Sequence, residues 1–230
     1  GKILWKTELK QKLLAGVGAS TKTVVVVSKQ GLAFGLDASD GSERWVSELN
    51  VEIQGNIIIS GNKIILRSSN GQVICLNEKT GFVDWRYIRM NPGLSVRGLS
   101  TPIIHQDRVI VGLDSGRLSA ISLEEGKEIW TMQFSRSKGS NKIDRLNDID
   151  SDPYLVGDEI FVGAFQSKVS AINLPSLNTI WTIKQSSIMP FSSYSNKLLL
   201  TIDTGAIVAL DTATGQILWQ QNKLIGRGVS

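Results

Sequence analysis

Two stretches of this chain hold its most suggestive chemistry, one offering a pair of arginines and the other a cluster of aspartates among basic residues. Residues 87–98 read Tyr-Ile-Arg-Met-Asn-Pro-Gly-Leu-Ser-Val-Arg-Gly and offer Arg89 and Arg97 beside Leu94 and Val96. Residues 135–150 carry Asp144, Asp148 and Asp150, with Asp152 just beyond, around Leu146 and Ile149. Guanidinium and carboxylate groups make charge-assisted hydrogen bonds, stronger and more directional than neutral ones. An apolar centre flanked by such charges suits a protein–protein contact, where a buried anchor is ringed by polar groups. The plain alternative is that Arg97 and the aspartates only tie the two stretches to each other. The readings are compatible, because an internal ion pair can shape a docking patch.

Other chemistry is poorly served. The chain holds one cysteine, Cys75, and one histidine, His105. An internal disulfide is therefore excluded, and zinc sites and histidine-based triads lack their ligands and bases. Paired carboxylates remain the one open route to acid–base work. His105 precedes Gln106-Asp107 and reads as a surface turn residue. Lys and Arg total 25 against 21 Asp and Glu, a net charge of +4. No dense basic block points to nucleic acid. No apolar run reaches the roughly 20 residues of a membrane-spanning helix, and no signal-peptide pattern is present. The visible chain reads as soluble, with any leader or anchor outside it.

The elements that must position the two charged stretches follow from a tandem repeat. Tryptophans recur at Trp5, Trp45, Trp85, Trp130, Trp181 and Trp219, and a glycine stands four residues before five of them: Gly1, Gly41, Gly81, Gly126 and Gly215. Six residues before the repeat glycine lies a small residue: Gly35, Cys75, Ala120, Ala171 or Ala209. An aliphatic residue and a short polar one follow, as in Leu36-Asp37, Leu76-Asn77 and Leu210-Asp211. A period near 40 residues with β-branched runs such as Val24–Val27 predicts four short strands per copy and almost no helix. Four-stranded units at this period suit an all-β propeller.

The short polar residue and the glycine predict a tight hairpin between third and fourth strands. The Trp then packs between neighbouring sheets, so Trp45, Trp85, Trp130, Trp181 and Trp219 read as structural cement. Cys75, in the small-residue position, reads as a buried structural thiol. The fourth copy departs from the pattern with Ser167, Pro175 and Leu177, and Asn178 is the expected left-handed residue of its hairpin.

The expected domain is a single partial propeller over 1–230. It starts with a lone outer strand at 1–9. Blades follow at about 10–49, 50–89, 90–134, 135–185 and 186–222, and another begins at 223–230. Five complete blades cut in mid-phrase at both ends suggest an open arc from a larger ring. Both charged stretches run from the fourth strand of one blade to the first of the next. Such connections in adjacent blades emerge on one rim, so Arg97 and Asp148 are expected as neighbours.

Ala209-Leu-Asp211-Thr-Ala-Thr214-Gly215-Gln-Ile-Leu-Trp219 matches throughout the docking phrase A-x-D-x-x-T-G-x-x-x-W of pyrroloquinoline-quinone-type propeller repeats, which the chain resembles. Leu94-Ser-Val-Arg97-Gly98 and Ile143-Asp-Arg-Leu-Asn-Asp148-Ile-Asp150 are similar to two signature loops of the BamB family, lipoprotein subunits of the outer-membrane β-barrel assembly machinery. The resemblance implies an eight-bladed propeller, about three blades of which lie outside this sequence. It implies a non-enzymatic scaffold without cofactor or metal, on the periplasmic face of the bacterial outer membrane. The implied partner is a POTRA domain of the barrel-forming subunit, bound through Leu94, Val96, Arg97, Asp148 and Asp150. Unfolded outer-membrane proteins are further implied clients. The membrane would be met only through a lipid anchor outside this chain, and no nucleic acid is implied. Position 96 is more usually Leu in the family, and its lipidated cysteine has no counterpart here. The alternatives are a quinone-dependent dehydrogenase, which would need a calcium site and often adjacent cysteines, and a generic interaction propeller.

Overall fold

Aliphatic runs and turn residues alternate along the chain, and the computed structural model turns them into strands. It describes residues 1–89, 100–113, 116–134, 149, 151–163, 168–187 and 189–223. Twenty strands and no helix occur among these residues. The first sheet holds β1 (Leu13–Ala19), β2 (Thr23–Ser28), β3 (Leu32–Asp37) and β4 (Glu43–Glu48). The second holds β5 (Ile58–Ser60), β6 (Lys63–Arg67), β7 (Val73–Asn77) and β8 (Val83–Tyr87). The third holds β9 (Ile103–His105), β10 (Arg108–Leu113), β11 (Arg117–Ser122) and β12 (Glu128–Gln133). β13 (Tyr154–Val156), β14 (Glu159–Gly163), β15 (Val169–Asn173) and β16 (Asn178–Ile183) form the fourth. β17 (Ser192–Tyr194), β18 (Lys197–Thr201), β19 (Ile207–Asp211) and β20 (Ile217–Gln221) form the fifth. In each, strand order follows chain order. These are the four-stranded antiparallel blades of a β-propeller.

The chain divides into two compact units, and the third sheet contributes residues to both. The first unit comprises Gly1–Asn91, Ile104–Val109 and Ala120–Ile129; the second comprises Pro92–Ile103, Ile110–Ser119 and Trp130–Ser230. The first unit is centred on Val25, Val27, Trp45, Leu49, Ile53, Ile64, Leu66 and Leu76, all nearly or fully buried. A core of Phe161, Val169, Trp181, Phe191, Leu198 and Leu210 fills the second, with the Phe161 and Trp181 rings tilted at a centroid distance of 5.8 Å.

The repeat phrase builds a joint between successive sheets. In the β7–β8 hairpin, Asn77 Oδ1 accepts the N–H groups of Lys79 and Thr80, and Gly81 N–H donates to the Asn77 carbonyl at 2.8 Å. Gly81 has φ +73°, a region that a Cβ disfavours. A Cβ there would also lie 2.5 Å from Trp45 of the first sheet. The Trp45 indole donates to the carbonyl of Glu78 at 2.9 Å, while the N–H of Glu78 donates to Asn62 in its own sheet at 2.8 Å. The backbone of one residue, Glu78, thus serves two sheets. The pattern recurs with Trp85 on Leu123 at 3.0 Å in the first unit and Trp181 on Thr212 at 2.7 Å in the second. Trp45, Trp85 and Trp181 are only 8–9% exposed. At about 200 Å² each and about 25 cal/mol/Å², such burial contributes roughly 5 kcal/mol gross per indole.

Three expectations need correction. Lys2–Leu9 is not in a sheet among the described residues, since a strand needs a neighbour to bond its backbone. Its side chains still dock as those of a fourth strand would: Trp5 donates to the Ala38 carbonyl at 3.0 Å and Thr7 to that of Gly41 at 2.6 Å. The left-handed residue of the β15–β16 hairpin is Leu177, with φ +56°, and not Asn178. Leu177 stands at the glycine position, and Asn173 caps Ser176 just as Asn77 caps its own turn, so hairpin geometry overrides the residue's preference. His105 is the half-buried end of β9, and Gln106 takes the turn with φ +55°.

Candidate functional site

The docking residues expected from the sequence, Leu94, Val96, Arg97, Asp148 and Asp150, lie outside the described residues, as do Asp144 and Leu146. The roots of both connections are described, and the two units are taken in turn.

In the first unit, the connection that leaves β8 is tied down at once. The Tyr87 phenol donates to the Glu128 carboxylate, and Arg89 Nη1 lies 2.6 Å from the same Oε2. Burial, then the hydrogen bond to Glu128, holds the phenol's pKa above its usual range. Arg89, expected to face a partner beside Arg97, is thus committed to β12. Nearby, Lys63 is almost fully buried and reaches Asp84 at 2.9 Å and Glu124 at 3.2 Å, joining the second sheet to the 122–126 hairpin. The Asp84 bond raises its pKa more than burial lowers it. Cys75 is fully buried at its small-residue position, and burial pushes its thiol up to about 12.

In the second unit, the two connections meet at their C-terminal roots. The Thr101 N–H donates to Asp152 Oδ1 at 2.5 Å. Ser100 and Ser151 hold equivalent places, each twelve residues before a glycine near the end of a second strand, Gly112 or Gly163. Ser151 Oγ donates to the Gly163 carbonyl at 3.0 Å and accepts the Gly163 N–H at 2.7 Å. A Cβ on Gly112 would lie 2.7 Å from Ile149 Cγ2 and 2.8 Å from Ser100 Oγ. Ser100, Ser151 and Ile149 are at most 1% exposed. Ile149, read from sequence as part of an apolar docking centre, is instead a core anchor.

These serines escaped the sequence reading because they lie outside the Trp-centred phrase. The twelve-residue Ser-to-Gly spacing in the third and fourth copies is the signal that could have revealed them. In the same unit, Phe134 is buried under Lys168, whose Nζ sits 4.9 Å from the ring centroid; burial lowers that amine's pKa.

Among the described residues, no group of three or more His, Cys, Asp or Glu side chains could hold a metal ion. Chemically, the roots are hydrogen-bonded frames suited to holding a loop.

The comparisons with known proteins agree with this framework. A BamB from Moraxella catarrhalis superposes with a TM-score of 0.90 at 27% identity, covering 98% of this chain and 69% of that one. A quinohemoprotein alcohol dehydrogenase from Comamonas testosteroni superposes at 0.74 with 12% identity, covering 92% of this chain and 43% of that one, a likeness of fold alone. The outer membrane protein assembly factor BamB of Yersinia pestis is 32% identical over 241 residues, covering all of this chain and 61% of that protein. Its counterpart in Escherichia coli is 32% identical over 254 residues, covering 89% of this chain and 65% of that protein. The chain therefore spans less than two thirds of the length of the Yersinia pestis and Escherichia coli proteins. The family model of outer membrane protein assembly factor BamB matches residues 1–221, and the chain belongs to that family.

Proposed function

We propose that this chain is part of a non-catalytic scaffold that docks the barrel-forming subunit of the outer-membrane assembly machinery through a periplasmic POTRA domain, and so assists the insertion of outer-membrane proteins. Leu94 and Val96 supply the apolar anchor. Arg97, Asp148 and Asp150 make charge-assisted hydrogen bonds around it. The protein works at the periplasmic face of the outer membrane. The observation that carries the reading is the Thr101–Asp152 hydrogen bond, because it brings together the ends of the two connections that bear these residues. Membership of the assembly-factor family supplies the biological setting.

Calorimetry between this chain and the purified periplasmic region of the barrel-forming subunit tests the proposal. The expected result is a complex that Arg97→Glu weakens by about 2–5 kcal/mol, the cost of disrupting a buried interfacial charge pair. Asp148→Ala with Asp150→Ala should do likewise, and the circular dichroism of both variants should match that of the parent. Absence of binding by the parent, or parental affinity in both variants, sinks the reading.

A further inference from the structure

We propose that Asp152 is a positioning residue for docking: by holding the backbone of Thr101 it locks the root of one long connection to the root of the other. The inference rests on the docking reading above. Thr101 follows Ser100 as Asp152 follows Ser151, so the hydrogen bond joins the same place in two successive copies. Its donor is a main-chain N–H, so it constrains the path of the chain and not merely a rotamer.

The residues on either side are already fixed. Ser151 is held to both backbone groups of Gly163, Ser100 is fully buried, and Ile149 is wedged at Gly112. A half-buried carboxylate between two immobile serines sets one root against the other without mobile side chains intervening. A partner that must touch both connections then meets two loops whose C-terminal roots are already set against each other, which lowers the ordering cost of binding.

Two measurements on the whole chain test this: affinity for the purified periplasmic region of the barrel-forming subunit, and hydrogen exchange at the Thr101 amide. In Asp152→Ala, the amide should exchange about tenfold faster and affinity should fall about tenfold, as expected for loss of a hydrogen bond to a charged group. Asp152→Asn keeps an acceptor oxygen at the same place and should retain both within about threefold. Should Asp152→Ala fold poorly, Thr101→Pro removes the donor instead and should weaken binding equally. Fast exchange with parental affinity overturns the positioning role alone. Unchanged exchange in Asp152→Ala overturns the hydrogen bond itself. No binding by the unaltered chain overturns the docking reading, and the positioning role falls with it.

Discussion

Cys75 stands where the third, fourth and fifth copies carry Ala120, Ala171 and Ala209, and pairs with Trp85 of the next strand. Its burial makes two measurable statements. Thiol reagents at pH 8 should leave it unmodified in the folded chain and label it fully in denaturant, since only the thiolate reacts. The second statement concerns alkaline stability. A thiol pushed from 9.0 up to about 12 stays protonated in the folded state while the unfolded chain ionises. Its contribution is therefore complete below about pH 9 and is lost as pH rises toward 12. In a pH series of urea unfolding, Cys75→Ala should flatten that alkaline limb, and the alanines of the other copies show that the position accepts the change. Leu177 is a second residue-scale case. A side chain at φ +56° costs roughly 1 kcal/mol over glycine, so Leu177→Gly should raise stability by about that amount in thermal melts. Sequence pointed to Asn178 because asparagine tolerates that conformation; position in the hairpin decided otherwise.

Hairpins and sheets were the most legible level. Trp, Gly and short polar residues recur at fixed offsets, and fixed offsets translate directly into turn geometry and strand register. The hairpin glycine combines two demands that can be separated by experiment. Gly61, at φ +60° in the β5–β6 turn, has nothing within 4 Å of an added Cβ, whereas Gly81 at φ +73° abuts the Trp45 ring. Gly61→Ala should cost about 1–2 kcal/mol, the conformational part alone. Gly81→Ala should cost about 2–4 kcal/mol, because displacement of the indole adds to it. It should also shift Trp45 fluorescence, which Gly61→Ala should not. The fourth copy has Leu177 in place of the glycine, and Trp130 is half-buried where Trp45, Trp85 and Trp181 are buried. What escaped the sequence reading at this level were the serine anchors and the burial of Ile149. These contacts join connections to strand ends, and connections vary in length from copy to copy, so periodicity does not mark them.

At the scale of the molecule, fold and family were legible in the repeat and in two loop phrases. The proposed partner face rests on loop residues read from the sequence, whereas Asp152, which ties the roots of those loops, stands in that reading only as one aspartate among four. A face built on Arg97, Asp148 and Asp150 should respond to salt. Raising sodium chloride from about 50 to about 500 mM shortens the screening length severalfold. Affinity for the periplasmic partner should then fall several-fold, mainly through a slower association rate seen in stopped-flow measurements. An affinity indifferent to salt would place the binding energy in Leu94 and Val96 instead.

The joint in which a tryptophan meets a main-chain carbonyl leaves the residue that owns that carbonyl free in identity: it is Ala38, Glu78, Leu123 and Thr212 in four copies. A connector written in backbone tolerates drift. Successive copies can wander far apart in surface chemistry and still seat on one another, so a lineage can specialise a single pair of loops for recognition while every remaining copy serves as plain frame.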